Sequence, residues 1–234
     1  MKYDPNPYHQ FDPSYGQPET LGQYTAKTFL WMFLGLLITF AAALFLCLTG
    51  LVVYIFPIQF ILAIVELLVV IYLSARIHEM SVETARMLFL AYALLNAVTF
   101  SSLLVYYGLF SMVLVFGMTS LYFGGLAAYG YFTKSDLSGY RPILFTGVVV
   151  LLVFWVLSLF LNLSGVDRIA CIIGIAIFMG YTAYDSQMIR DNYYYYSGDH
   201  ELLEKASIFS ALRLYLDFVN LFIYLLRFMN RRRD

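Results

Sequence analysis

Residues 175–190 (IAIFMGYTAYDSQMIR) and 211–226 (ALRLYLDFVNLFIYLL) each place one aspartate, Asp185 and Asp217, inside a long apolar segment. A carboxylate inside a membrane span is costly to bury, so it usually faces a protein partner, a cavity or an ion path. Two such carboxylates on consecutive spans predict a pair inside a helical bundle that shares protons. A shared proton would make the pair suitable as a gate.

The composition agrees with a membrane setting for these segments. The chain has 234 residues, of which 62% are hydrophobic and 12% charged, and its mean hydropathy is +0.76. Soluble domains carry about 25% charged residues. The net charge of -1 gives no reason to expect a nucleic-acid partner. Cys47 and Cys171 both lie in apolar runs and indicate neither a disulfide framework nor a structural metal site.

The hydropathy pattern predicts an all-α integral membrane protein with seven transmembrane helices. A spanning helix needs about 20 mostly apolar residues. The segments that qualify are 28–49, 58–75, 85–106, 111–132, 142–162, 166–188 and 206–228. We interpret 1–24 as a flexible polar tail without the basic start of a cleaved signal peptide, 25–228 as the membrane domain and 229–234 as a basic tail.

The Lys and Arg residues orient this bundle with its N-terminus in the cytosol. The loops on that side then carry eight cationic residues and the opposite loops only Arg168, which is the positive-inside bias. The eight are Lys2, Lys27, Arg76, Arg86, Lys134, Arg141, Arg190 and Lys205. The basic C-terminal tail opposes this orientation. The earlier loops weigh more, since early spans usually dominate, although a re-entrant last segment with six spans stays an alternative.

The last segment carries a polar stripe at steps of three and four residues, which places it on one helical face. Its members are Ser207, Ser210, Arg213, Asp217, Asn220 and Tyr224. Lipid offers no partners for these groups, so the stripe is expected to face inward and the last helix to be central. Gly174 and Gly180 would let the preceding helix approach a neighbour closely.

Two arrangements of the intramembrane charges are open from the residues alone. In one, Asp185 and Asp217 meet and share a proton, because two close carboxylates do not both ionise at low cost. In the other, Asp217 pairs with Arg213, four residues back on the same face, although a cation that precedes its acid is the weaker order for a helix pair.

Glu66 and Arg76 belong to the second span and have two interpretations each. Glu66 would line a cation path, or it would be a protonated side chain that is hydrogen-bonded within the bundle. Arg76 would neutralise one aspartate, or it would extend to the lipid headgroups.

Three stretches of the sequence then identify a family. Residues 66–107 (ELLVVIYLSARIHEMSVETARMLFLAYALLNAVTFSSLLVYY), 129–145 (YGYFTKSDLSGYRPILF) and 173–190 (IGIAIFMGYTAYDSQMIR) resemble the Bax inhibitor-1, or transmembrane Bax inhibitor motif, family. The resemblance covers about residues 24–228, and the short loops are similar to those of bacterial members, which implies the bacterial inner membrane.

The resemblance implies a last helix wrapped by the first six and a calcium leak that an aspartate pair opens and closes. The positions that match the family pattern are Asp185 and Asp217 for the pair, Glu66 for cation passage and Arg76 for an arginine that bonds to the pair. Arg213 beside Asp217 is a further expected gate partner. Calcium is the expected transported ion, with transient contacts near the three acids, and protons are the expected regulator.

Three functional classes follow from these residues. The first is a pH-sensitive calcium leak channel, with lipid as its surroundings, no resident cofactor or structural metal and no enzymatic activity. The second is a proton-coupled transporter, which uses the same acidic interior. The third is an intramembrane aspartyl protease, suggested by Tyr184 before Asp185 but disfavoured because no glycine stands before Asp217 where that class has GxGD.

Overall fold

The computed structural model describes residues 19–76, 79–158, 160–161 and 165–230, with the side chains of 73–75 and 230 outside that description. Within these ranges the chain is helical and contains no strand. The helices are α1 Leu21–Leu48, α2 Val52–Ile55, α3 Gln59–Arg76, α4 Val82–Tyr107, α5 Leu109–Phe132, α6 Arg141–Ser158, α7 Asp167–Tyr196 and α8 His200–Asn230.

Seven helical stretches of the described chain are long and apolar enough to cross a membrane, which confirms the predicted fold class. The second of them joins α2 to α3 through a short 3-10 turn at Phe56–Ile58 that contains Pro57. Because proline has no N–H to donate, its place at the start of a helix costs no hydrogen bond.

Some helix ends differ from the sequence predictions. Helix α1 begins at Leu21, inside the predicted tail, because Thr20 and Gln23 form a capping box that satisfies the first free N–H groups. Helix α7 continues to Tyr196, eight residues beyond the predicted end of the sixth span at residue 188. Most of the predicted tails, 1–18 and 231–234, lies outside the described residues.

Helix α8 is the centre of the bundle, as predicted. In its most apolar stretch 67% of the residues are buried, against 0% for the second span. Helix α8 packs against α1, α4, α5 and α7, while α3 packs mainly on α4, and α6 mainly on α7. The second and fifth spans therefore form an outer layer over the helices that surround α8.

Glycines set the distance between α7 and its neighbours. A Cβ added at Gly130 of α5 would lie 2.0 Å from the carbonyl oxygen of Ala183, so the two backbones touch. Gly174 lies under the Tyr224 ring of α8, which confirms the predicted close approach of the two helices. In a membrane, where lipid is as apolar as leucine, such close packing is a main source of helix association.

Candidate functional site

The carboxyl groups of Asp185 on α7 and Asp217 on α8 meet inside the bundle. The two carboxyl groups lie within hydrogen-bonding reach of each other, and each residue is only 4% exposed. Asp217 Oδ2 is buried without a hydrogen-bond partner among the described residues. The polar face of α8 thus points to α7 at this level, as its sequence predicted.

A hydrogen bond between two carboxyl groups requires a proton on at least one of them. An ionised carboxylate only accepts hydrogen bonds, so two ionised groups would have no donor between them and would repel each other. Direct contact between the carboxyls of Asp185 and Asp217 therefore suits a singly or doubly protonated pair. Removal of the last shared proton would remove the bond and create repulsion at the same place.

Arg213 is the cation nearest to this pair, and it contacts the aspartate of the other helix. Its Nη2 lies 2.9 Å from Asp185 Oδ1, although the hydrogen-bond direction is poor. The guanidinium also lies over the rings of Tyr184 and Phe209, at 5.7 Å and 5.6 Å from their centroids. Of the two arrangements open from sequence, the aspartates meet, and Arg213 joins them through Asp185 rather than through its neighbour Asp217.

Two further polar residues, which the sequence analysis did not assign to this site, lie close to the aspartate pair. Arg141, at the start of α6, and Tyr181, one turn before Asp185, are both within electrostatic reach of Asp185. Tyr181 was signalled by its spacing of four residues from Asp185 on one helix face. Arg141 carried no such signal, because it comes from a helix distant in sequence.

The loop between α5 and α6 is hydrogen-bonded to α7 at Gln187, two residues beyond Asp185. Gln187 accepts a hydrogen bond from the N–H of Leu137 at 2.9 Å and donates one to the carbonyl of Ser135 at 2.8 Å. In the same loop the N–H of Ser138 donates to Asp136, which lowers the pKa of that exposed carboxyl. Leu137 itself is buried. The loop therefore covers this end of α7.

Glu66 occupies a separate site between α3 and α4. It is half-buried, and the hydroxyl of Thr99 donates a hydrogen bond to its Oε1 at 2.7 Å. Glu66 is also within electrostatic reach of the buried Tyr215 on α8. Tyr215 and Asp217 are two residues apart and so point to opposite sides of the helix. The two acidic sites therefore border α8 from different sides.

Arg76 does not join the aspartate pair in this structure. Its Nη1 lies 2.6 Å from Glu79 Oε2, and both side chains are largely exposed. The contact made by Arg213 takes the place that the resemblance assigned to Arg76. A bond between Arg76 and the pair stays a prediction for another arrangement of α3.

In the part of the chain that the structure describes, no three His, Cys, Asp or Glu side chains come together in a group that could hold a metal ion. Glu66 therefore does not form such a group with Asp185 and Asp217. Any calcium contact at these acids would use one site at a time, together with water, because calcium takes six to eight oxygen ligands.

Comparison with known proteins assigns the chain to a family. The family model described as "Inhibitor of apoptosis-promoting Bax1" matches residues 21–234. The chain belongs to the Bax inhibitor-1 family. The matched range contains Asp185, Asp217, Arg213 and Glu66, and the family is a membrane protein family.

Bacterial relatives share nearly the whole length of the chain. The inner membrane protein YbhL of Escherichia coli K12 is 36% identical over 220 residues, which are 91% of this chain and 93% of YbhL. The protein RP147 of Rickettsia prowazekii is 36% identical over 222 residues, 92% of each chain. A protein of Chlamydia muridarum is 35% identical over 227 residues, 93% of this chain and 95% of its own. This Bax inhibitor-1 family protein is therefore an integral membrane protein with bacterial relatives.

Proposed function

We propose that this protein is a pH-sensitive calcium leak channel of the bacterial inner membrane, not an enzyme, and that the Asp185–Asp217 pair is its gate. The observation that carries the proposal is the proximity of two buried carboxyls on α7 and α8, the two helices with the most extensive mutual contact. Protons regulate the gate, calcium is the transported ion, and no resident cofactor takes part.

The closed state is the one with a shared proton. While the proton is present, the pair bonds α7 to α8 across the centre of the bundle. When it is lost, two negative charges face each other, and Arg213 at 2.9 Å from Asp185 compensates only one of them. Repulsion at close range in a medium of low dielectric constant then favours separation of the carboxyls. The leak should therefore increase as the pH rises.

Glu66 is the second part of the proposed ion path. Carboxylate oxygen is the ligand that calcium prefers, and Glu66 is half-buried rather than enclosed. A single carboxylate held by one hydrogen bond from Thr99 would bind calcium weakly. Weak binding suits passage, because an ion must leave its site as well as enter it.

The test is calcium entry into liposomes that contain the purified protein, scanned from about pH 5 to about pH 9 across the range in which a coupled carboxyl pair titrates. The wild-type rate should rise with pH. Asp185→Asn and Asp217→Asn should each flatten the profile, because an amide opposite one remaining carboxyl cannot reproduce the loss of a shared proton.

Asp191→Asn is the matched control for this experiment. Asp191 lies on α7 like Asp185, but its side chain is half-exposed and its ion pair with Arg190 is long, at 3.8 Å. Its profile should equal that of the wild type. A pH dependence that survives in both Asp185→Asn and Asp217→Asn would refute the gate.

A proton-coupled transporter is the second candidate function, since the same shared proton would serve it. A pH-sensitive dye inside the liposomes separates the two. A transporter moves protons in a fixed ratio with calcium, and it accumulates calcium when a proton gradient is imposed. A leak does neither. The aspartyl protease is the weakest candidate, because Arg213 contacts Asp185 and no glycine precedes Asp217.

The proposed orientation has the N-terminus in the cytosol and the C-terminus on the opposite side. Gly165 and Gly198 lie in the loops before and after α7, and an added side chain meets no atom within 4 Å at either position. In a protein with Cys47→Ala and Cys171→Ala, an impermeant thiol reagent added to the periplasmic side should label Gly165→Cys and spare Gly198→Cys. The reverse pattern would invert the orientation.

A further inference from the structure

A small cavity lies between α7 and α8 on the loop side of the aspartate pair. Its volume is about 80 Å³, and it is lined by Asn192, Tyr196, Leu202, Lys205, Ala206, Phe209 and Arg213. A cavity of roughly 10–15 Å³ is enough for one water. The cavity therefore has room for a small oxyanion.

The charged side chains that line this cavity are of one sign, and their acidic partners lie outside the lining. Of the described residues that line it, Lys205 and Arg213 are cationic and none is acidic. Lys205, Phe209 and Arg213 follow one another at steps of four residues, so one face of α8 presents both cations to the cavity. Like charges in a partly desolvated space repel each other, and an anion between them would remove that repulsion.

The acidic partner that Lys205 has is a weak one. Lys205 Nζ lies 2.7 Å from Glu201 Oε1, but the side chain of Lys205 is only 12% exposed while that of Glu201 is 66% exposed. Water therefore screens the carboxylate of this pair, while the ammonium is mostly shielded from water. The cost of holding an ammonium group in so enclosed a position calls for a stronger counter-charge.

Arg213 connects this cavity with the aspartates. It lines the cavity and also contacts Asp185 at 2.9 Å, with poor hydrogen-bond direction. The guanidinium has five N–H donors in a planar fork that matches oxyanions, so it can serve Asp185 on one edge and an anion on another. Asn192 adds a polar amide to the lining and already donates to Ser210 at 3.2 Å.

We propose that the cavity between Asn192, Lys205 and Arg213 is a binding site for a phosphate group, held by the ammonium of Lys205 and the outer edge of the Arg213 guanidinium. The phosphate would come from the headgroup of an anionic lipid or from a free phosphate in solution. This site shares Arg213 with the proposed gate, but phosphate binding is measured without calcium transport.

Binding of free phosphate is tested on the purified protein in phosphate-free detergent. The thermal midpoint is followed during titration with sodium phosphate, and with sodium chloride at matched ionic strength. A ligand that binds only the folded state raises the midpoint. Phosphate should raise it and chloride should not. Lys205→Gln should weaken the phosphate response about tenfold, as expected for loss of a charge-assisted contact, and Lys205→Arg should retain it.

The lipid source is tested with the same variants in nanodiscs. Retention of phosphatidylglycerol against phosphatidylcholine is measured by mass spectrometry. Preferential retention that Lys205→Gln abolishes assigns the site to a lipid headgroup, whereas a response to free phosphate alone assigns it to a soluble ligand.

Two further variants keep the result interpretable. Lys134→Gln removes an exposed lysine from the loop between α5 and α6 and should behave as the wild type. Leu202→Trp fills the cavity while leaving both cations in place, and it should also reduce binding, which covers the case that Lys205→Gln does not fold. The proposal is overturned if neither phosphate nor phosphatidylglycerol binds to the wild type. It is also overturned if the ligand that does bind is held equally well by Lys205→Gln or by Leu202→Trp.

Discussion

The two acidic sites of this protein hold their carboxyl groups in different ways. Asp185 and Asp217 are each 4% exposed and lie between two well-packed helices, with Arg213 beside them. Glu66 is half-buried on a span of which no residue in the most apolar stretch is buried, and one hydroxyl, that of Thr99, donates to it. The first site is built into the core and the second into its edge.

This difference indicates a division of roles. A core site with tightly packed backbones favours two discrete arrangements over continuous deformation, which suits a switch. A site on an outer helix that packs mainly on α4 can exchange ligands without rearrangement of the core. The comparison therefore predicts that changes around the aspartates alter stability and pH response, while changes around Glu66 alter conduction alone.

The largest effect is expected at Gly130 of α5. This glycine touches α7 at Ala183, two residues before Asp185. Gly130→Ala would place a methyl group 2.0 Å from the carbonyl oxygen of Ala183. Backbone atoms cannot rotate away, so the helices must separate, at a cost of about 1–3 kcal/mol or more in the free energy of unfolding. The thermal midpoint in detergent should fall by several degrees.

Gly117→Ala is the control on the same helix, because an added Cβ there meets no atom within 4 Å. Alanine favours a helix over glycine by about 1 kcal/mol. The control should therefore leave the midpoint unchanged or raise it. A Gly130→Ala protein as stable as the control would show that the α5–α7 contact does not hold the core.

The second effect concerns the charge beside the pair. Arg213→Gln removes the cation that compensates an ionised Asp185, so the doubly ionised state becomes harder to reach. The rise of calcium flux with pH should then shift to higher pH, by roughly one unit, which corresponds to about 1.4 kcal/mol of lost interaction. Liposome flux measured across the pH range gives the midpoint.

Arg141→Gln provides a graded comparison for this prediction. Arg141 also acts on Asp185 electrostatically, but Arg213 has the larger influence. Its removal should shift the flux midpoint in the same direction by a smaller amount. A shift to lower pH in either variant would contradict the proposed role of these cations.

The third effect separates the two acidic sites. Glu66→Gln keeps the shape of the side chain and removes its charge, so the protein should fold normally and carry several-fold less calcium, since a carboxylate is the better calcium ligand. Its pH profile should keep the midpoint of the wild type. Glu83→Gln, an exposed acid in the first turn of α4, is the control. A shifted midpoint in Glu66→Gln would mean that the sites are coupled through α8.

The smallest effect is expected at Thr99, which supports Glu66 by one hydrogen bond of 2.7 Å. Thr99→Val keeps the volume and deletes the donor, and hydrogen bonds between membrane helices are worth about 0.6 kcal/mol on average. The thermal midpoint should change by no more than a degree or two, and the flux should change less than in Glu66→Gln. A larger loss of stability would show that α3 depends on this bond for its attachment.

The sequence by itself determined the class of fold and the identity of the acidic residues. Long apolar segments predict spanning helices because an unsatisfied backbone is too costly in lipid, and a charged residue inside such a segment must turn inward for the same reason. This is why the spans, the central position of α8 and the inward face with Asp217 followed from local pattern. The start of α1 was missed because the capping box at Thr20 and Gln23 lies before the apolar run.

Only the tertiary structure decided which groups meet. Asp185 could have faced Arg76 or stood alone, and Arg213 could have paired with Asp217 on its own helix. The rotation and depth of α7 against α8 place Arg213 against Asp185 and leave Arg76 with Glu79. The rotation and depth of α7 are fixed by the close contacts at Gly130 and Gly174 and by the hydrogen bonds of Gln187 to the α5–α6 loop. Distances between helices depend on side-chain packing summed over the bundle, and a one-dimensional pattern does not contain that sum.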